Sequence, residues 1–340
     1  MTEISDLMAS CPLKQHIRQE LWESYIKKLG RKPVKYLTLY CPSIMDVKHF
    51  CNRGYIKLEG GVYKGAVGVT DAAQRGYAFT ISEGKGRLEL LKEGLLHELL
   101  ESGERDLIKK FPFDVINLDY CNHIYSSSNT QYISNNLQDV AKVITQQDRK
   151  GCGSFILFVT TRTDKSRPYG RGFADTFKRN LSERVAVNIN SNRNFRRKYK
   201  KIFGNKSPFD IARTNFDKFI SIGIVKLLSM CLAAKNYTIK DCDAFWLIRT
   251  EGGPRRQLLH IALLVTRGKP LEYSGQITYL EQLGTTQHIE EGATIILDKI
   301  IHGNIASVNE RVDKTRLQAK YGDYIAALRE SFEVTIPKPI

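Results

Sequence analysis

Apolar residues along this chain fall into two alternating rhythms. Leu13, Ile17, Leu21 and Tyr25 recur at spacing four, which predicts an N-terminal helix that ends at Gly30 and Pro33 and covers a core face. Residues 34–41, Val-Lys-Tyr-Leu-Thr-Leu-Tyr-Cys, are rich in β-branched and aromatic side chains and predict a first strand stopped by Pro42-Ser43. A second strand is expected at 62–71. Residues 85–110 place Leu88, Leu91, Leu95, Leu99 and Leu100 on one stripe and predict a helix. Phe113, Val115, Ile116 and Leu118 form the next apolar run. A helix with Ile133, Leu137, Val140, Val143 and Ile144 inward follows, closed by Gly151 and Gly153. Residues 154–161 are continuously apolar, as in a strand buried on both faces.

Alternation of strands and helices at this spacing means βαβ units and a mostly parallel sheet, so the expected class is α/β. Further on, 213–235 predicts another helix. Strands at 243–250 and 258–266 are separated by Glu-Gly-Gly-Pro-Arg-Arg, which is hairpin-loop chemistry. The remainder, 285–332, reads as helical. Three parts are expected: a helical arm at 1–33, an α/β domain at 34–270 with a basic insertion at about 162–206, and a mostly helical C-terminal appendage at 271–340.

Composition narrows the class. The 340 residues are 42% hydrophobic and 26% charged, with no apolar run long enough to span a bilayer. The first residues carry acids where a signal peptide needs basic ones, and the seven cysteines include no Cys-x-x-Cys. A cytoplasmic protein without membrane partners is expected. The net charge of +16 is concentrated: residues 162–201 hold thirteen Lys/Arg against three acids. Arg167, Arg171, Lys178, Arg179, Arg193, Arg196, Arg197, Lys198, Lys200 and Lys201 are the candidate contacts to a polyanion, most simply nucleic acid. A solvated basic loop is the bland alternative. Phe195 and Tyr199, four apart within this block, either stack on unpaired bases or pack on the core.

The candidate chemistry lies at residues 113–121, where an apolar strand delivers Asn117, Asp119 and Tyr120 within four positions. Ligands of open α/β sheets bind outside the carboxyl ends of the strands. The order of elements, the Asn117-Leu118-Asp119-Tyr120 strand end and the late hairpin resemble the class I S-adenosylmethionine-dependent methyltransferases. That family has a Rossmann-like, seven-stranded sheet whose last strand inserts antiparallel. In its amino-methyltransferases an Asp/Asn-Pro-Pro-Tyr tetrad ends the fourth strand. Both prolines are replaced here. The resemblance implies that Asn117 accepts a hydrogen bond from a target exocyclic amine, that Asp119 supplies a second acceptor, and that Tyr120 stacks on a flipped base.

It also implies that Cys41, Ser43 and Asp46, after the first strand, and Asp71, after the second, hold S-adenosylmethionine. The family's Gly-x-Gly loop is absent from that first turn. The expected function is therefore methyl transfer to a nucleic-acid amine. The alternative is a catalytically degenerate relative that binds nucleic acid or a protein partner. A third reading is a metal-dependent nuclease built from Asp114, Asp119 and Asp243 or Glu251. No P-loop, His-Glu-x-x-His or Gly-x-Ser-x-Gly is present, and no metal site is expected. His123, two positions after the strand end, is a candidate base, though a lone histidine more often serves structure.

Overall fold

A computed structural model describes residues 12–40, 44–70, 86–120, 123–124, 135–163, 171–249, 256–268, 287–302 and 306–330. Residues 12–28 form one helical rod, α1, with a π turn at Arg18–Trp22. Ile17, Leu21, Trp22 and Ile26 are wholly buried on its inner face. The chain continues through β1 (Tyr36–Leu39), α2 (Met45–Asn52), β2 (Lys57–Glu59) and β3 (Val62–Thr70); β1 and β3 fall where strands were expected, and β2, antiparallel to β3, is an addition.

After β3 the structure departs from expectation. Arg87–Glu93 is a strand, β4, followed by two short helices, α3 (Leu96–Glu101) and α4 (Arg105–Lys110). The leucine stripe suggested one helix, but β4 pairs in parallel with β3. Gly68 on β3 makes room for it, because a Cβ there would fall 2.5 Å from Leu88 Cδ1. Tertiary pairing overrides the helical propensity of Leu, Lys and Glu.

The remaining elements are β5 (Val115–Asp119), α5 (Asn135–Arg149), β6 (Ser154–Arg162), α6 (Arg171–Ser191), α7 (Arg193–Phe203), α8 (Pro208–Thr214), α9 (Phe216–Ala233), the hairpin β7 (Tyr237–Arg249) and β8 (Arg256–Arg267), α10 (Gln287–Ile301), β9 (Ala306–Asn309) and α11 (Glu310–Glu330). β9 interrupts the stretch expected to be wholly helical. It pairs in parallel with β7, so the C-terminal residues extend the same sheet.

The architecture is α/β with a mixed sheet. The strand order is β2-β3-β1-β5-β6-β8-β7-β9, and β4 lies along β3 as well. β3, β4, β1, β5 and β6 run parallel; β8 is antiparallel to both β6 and β7. Phe155, Ile156, Leu157, Phe158 and Val159 of β6 are buried on both faces, which divides the core in two. One cluster holds Phe155, Leu157 and Val159 with apolar residues of α5, α6, α7 and α9. The other holds Ile156 and Phe158 with α1 and α2. Burial of these side chains is worth roughly 1.5–3 kcal/mol each before entropy is charged against it.

Candidate functional site

β1 and β5 are neighbours, and the chain leaves them in opposite directions, towards β3 and β4 on one side and β6 on the other. Their carboxyl ends flank the topological switch point, the usual ligand crevice of such sheets. α2 begins above it, preceded by Ile44 at φ 38°. A left-handed conformation is costly for a β-branched side chain and marks a turn fixed by its surroundings.

Asp46, in the first turn of α2, is the centre of a buried polar cluster. Its Oδ2 accepts from Tyr36 Oη at 2.6 Å, Thr38 Oγ1 at 3.0 Å and Asn117 Nδ2 at 3.3 Å. Burial, reinforced by the neighbouring Asp46, pushes the Tyr36 hydroxyl well above its ordinary pKa, so it stays a neutral donor. Asn117 is 1% exposed, and its Oδ1 has no hydrogen-bond partner among the described residues. An orphaned buried acceptor of this kind costs about 1–3 kcal/mol unless something donates to it.

Asp119 lies on the same face of β5, two residues further out. It pairs with Lys14 of α1, whose side chain is 10% exposed against 25% for Asp119. Burial pushes the Asp119 carboxyl up, but the Lys14 ammonium outweighs it and holds the group below its usual range. Beside this pair, His260 of β8 shares a 2.8 Å hydrogen bond with Thr160 of β6 through Nδ1. Burial and the Lys14 charge push His260 down to about 3, so the ring is neutral.

Tyr120 faces the other way, as the two-residue period of a strand requires. Its hydroxyl lies 3.2 Å from Asp139 Oδ2 and 3.1 Å from the Asn136 carbonyl. Asp139 Oδ1 accepts from both the backbone N–H of His97 at 2.8 Å and its Nδ1 at 2.7 Å. Asn117 and Asp119 therefore share one face of the sheet, while Tyr120 is tied into the opposite one. His97 and Asp139 were not singled out from the sequence. The available signal was a carboxylate at 139 on the buried face of an amphipathic helix, where an unpaired charge is too costly to keep.

The nominated cofactor residues separate likewise. Asp46 stands at the switch point, whereas Cys41, Ser43 and Asp71 lie outside the described residues. His123 is buried. Among the described residues no group of three or more His, Cys, Asp or Glu side chains could hold a metal ion. Asp114 precedes β5 and binds the Lys35 amide and Arg31, so it sits at the opposite end of that strand from Asp119.

The basic residues divide by role. Phe195, Tyr199 and Phe203 of α7 are buried, and the Phe195 and Tyr199 rings stack at 6.3 Å, so these aromatics serve the core. Arg196 donates from Nε to the Ile189 carbonyl and from an Nη to the Asn190 carbonyl, both at 2.6 Å, which satisfies the last turn of α6. Lys198 pairs with Asp298 of α10, and Arg197 donates to the Asn194 side chain. Arg193, Lys200 and Lys201 are exposed. Arg179 is exposed one turn before Glu183, at 4.0 Å. Arg171 and Lys178 lie on α6 and Arg167 precedes it, outside the described residues. α6 is twenty-one residues long, roughly 30 Å of helix.

The PP_RS20740-like family model matches residues 102–240, from the end of α3 to the start of β7. The chain is similar to that family over this span, which includes β5, β6 and the basic helices. No curated protein matches. No helix among the described residues is long and apolar enough to cross a membrane.

Proposed function

We propose that this chain is an S-adenosylmethionine-dependent methyltransferase-like protein that acts on, or is bound to, nucleic acid, with methyl transfer to an exocyclic amine. One observation carries the reading. Strands β4-β3-β1-β5-β6-β7 follow the doubly wound order, and β8 enters antiparallel between β6 and β7. This is the arrangement expected of a seven-stranded sheet whose last strand inserts antiparallel. The orphaned Asn117 Oδ1 and the left-handed Ile44 fit a ligand that donates a hydrogen bond at the switch point, with Asp46 held beneath it. S-adenosylmethionine, when bound, supplies an electrophilic methyl group. The protein's part is to bind and orient the cofactor and the acceptor, and such positioning accounts for a large share of catalysis. Cytoplasmic residence and nucleic acid as the partner belong to the same proposal, the latter resting on the exposed cations of α7.

A second reading is favoured by the Lys14–Asp119 pair. It occupies the strand-end carboxylate that an acceptor amine would use, as Asp46 occupies the Asn117 amide. On this reading the fold is kept for binding alone. Isothermal titration separates the two. Binding of S-adenosylmethionine or S-adenosylhomocysteine at micromolar Kd is expected for the first. No heat with either ligand, with and without added nucleic acid, removes the first and leaves the second.

A further inference from the structure

Phe195, Tyr199 and Phe203 of α7 are buried, yet one phenylalanine just beyond them is not. Phe209 of α8 is 41% exposed, although it is large, apolar and part of a helix otherwise anchored by buried Pro208, Ile211 and Ala212. The anchoring is firm: Ser207 and Asp210 form a reciprocal capping box, with the Asp210 amide donating to Ser207 Oγ at 3.2 Å and the Ser207 amide to Asp210 Oδ2 at 3.3 Å. Phe209 is thus held outward by a fixed helix.

Its neighbours are cations. Residues 193–218 contain nine Lys/Arg against two acids. Lys206, Phe209 and Arg213 follow at spacings of three and four, which puts Phe209 and Arg213 on one helix face with Lys206 at its entrance. Lys206 and Arg213 are exposed, as are Lys200 and Lys201 in the last turn of α7. The Lys206 amide bonds back to the Phe203 carbonyl, which joins the end of α7 directly to the start of α8.

From this juxtaposition we infer that α7 and α8 form a binding surface for single-stranded polynucleotide, with Phe209 as the platform on which one unpaired base stacks and Lys200, Lys201, Lys206 and Arg213 as the phosphate contacts. An exposed ring among exposed cations suits unpaired bases, whose faces are open. In a duplex the faces are already stacked, and only phosphates would be met. The inference rests on the nucleic-acid part of the function proposed above and names the form of the ligand.

The test is fluorescence anisotropy with labelled oligo-dT, oligo-rU and a duplex of equal length, across a salt series, on the full chain. F209A is expected to weaken binding to the single strands about 5- to 150-fold, the range that one base–aromatic stack supplies, and to change duplex binding less than twofold. F209W should keep single-strand affinity, and its added indole fluorescence should be quenched by the bases. K200A/K201A should reduce the log–log salt slope by about 1.4 for single strands. Unequal effects on oligo-dT and oligo-rU tell which polynucleotide is preferred. If F209A binds single strands as wild type does while the salt dependence remains steep, the stacking inference is wrong and general nucleic-acid binding survives. Equal losses on duplex and single strand would overturn it as well. No binding to any of the three at low salt overturns the nucleic-acid reading itself.

Discussion

At the scale of single residues, chemical type and role part company along the basic stretch. Arg196 carries the same charge as its neighbours, but its guanidinium closes two backbone carbonyls at the end of α6. Arg196→Ala is therefore expected to cost about 1 kcal/mol of stability, read as a lowered urea midpoint. Its effect on the salt slope of single-strand binding should be small beside the change of about 0.7 expected for Lys200→Ala. The reverse pattern would make Arg196 a ligand contact. The same separation holds at β5. Asn117 and Tyr120 were legible as polar groups on a buried strand, and strand alternation alone says that positions three apart face opposite sides. What the sequence withheld was the partners. Lys14 reaches Asp119 from over a hundred residues away, and no local pattern announces such a pair.

Elements with a long, clearly bounded apolar run were the legible ones. β6 and the β7–β8 pair were legible because an unbroken apolar run, or two runs on either side of a Gly-Gly-Pro sequence, leaves few alternatives, although β7 begins at Tyr237, six residues before the expected start. β4 was read as helix because its leucines satisfy a helical stripe, and only pairing with β3 decides the matter. β9, four residues long, is set by its neighbour β7 rather than by its own sequence. Helix packing offers a sharper test. A Cβ at Gly223 of α9 would lie 2.2 Å from Leu181 Cδ2 and 2.6 Å from its Cγ, so α9 and α6 touch where one side chain is missing. Gly223→Ala should destabilise the fold by about 1–3 kcal/mol, since the core has no slack there. Adding Leu181→Ala should recover part of that loss, and a double-mutant cycle from urea unfolding measures the coupling. Strict additivity would mean that the two helices do not meet at that point.

Over the whole molecule, the polar groups enclosed between α1, α2 and the sheet tie stability to pH. His49 and His260 are both held at about 3, chiefly by burial, against an unfolded value near 6.5. Both rings stay neutral in the fold while the unfolded chain binds protons, so stability is complete above about pH 6.5 and declines as pH falls towards 3. Unfolding at pH 5 should take up about two more protons than unfolding at pH 8, measured from the pH dependence of the urea midpoint or by calorimetry in buffers of different ionisation enthalpy. An unchanged uptake would mean that the two rings are solvated.

That enclosure is completed from both ends of the described chain. Tyr321 meets His16 at 2.9 Å, Lys320 reaches Glu20 at 3.0 Å, and Tyr324 reaches His49 at 2.9 Å, so α11 lies across α1 and α2. At translation rates of about 5–20 residues per second, α1 emerges some 15–60 s before the helix that closes over it. During that interval Trp22 has no Phe158 and then no His260 to pack against. The apolar face of α1 therefore waits about 7–27 s for Phe158 of β6, and its polar face waits longer still for α11.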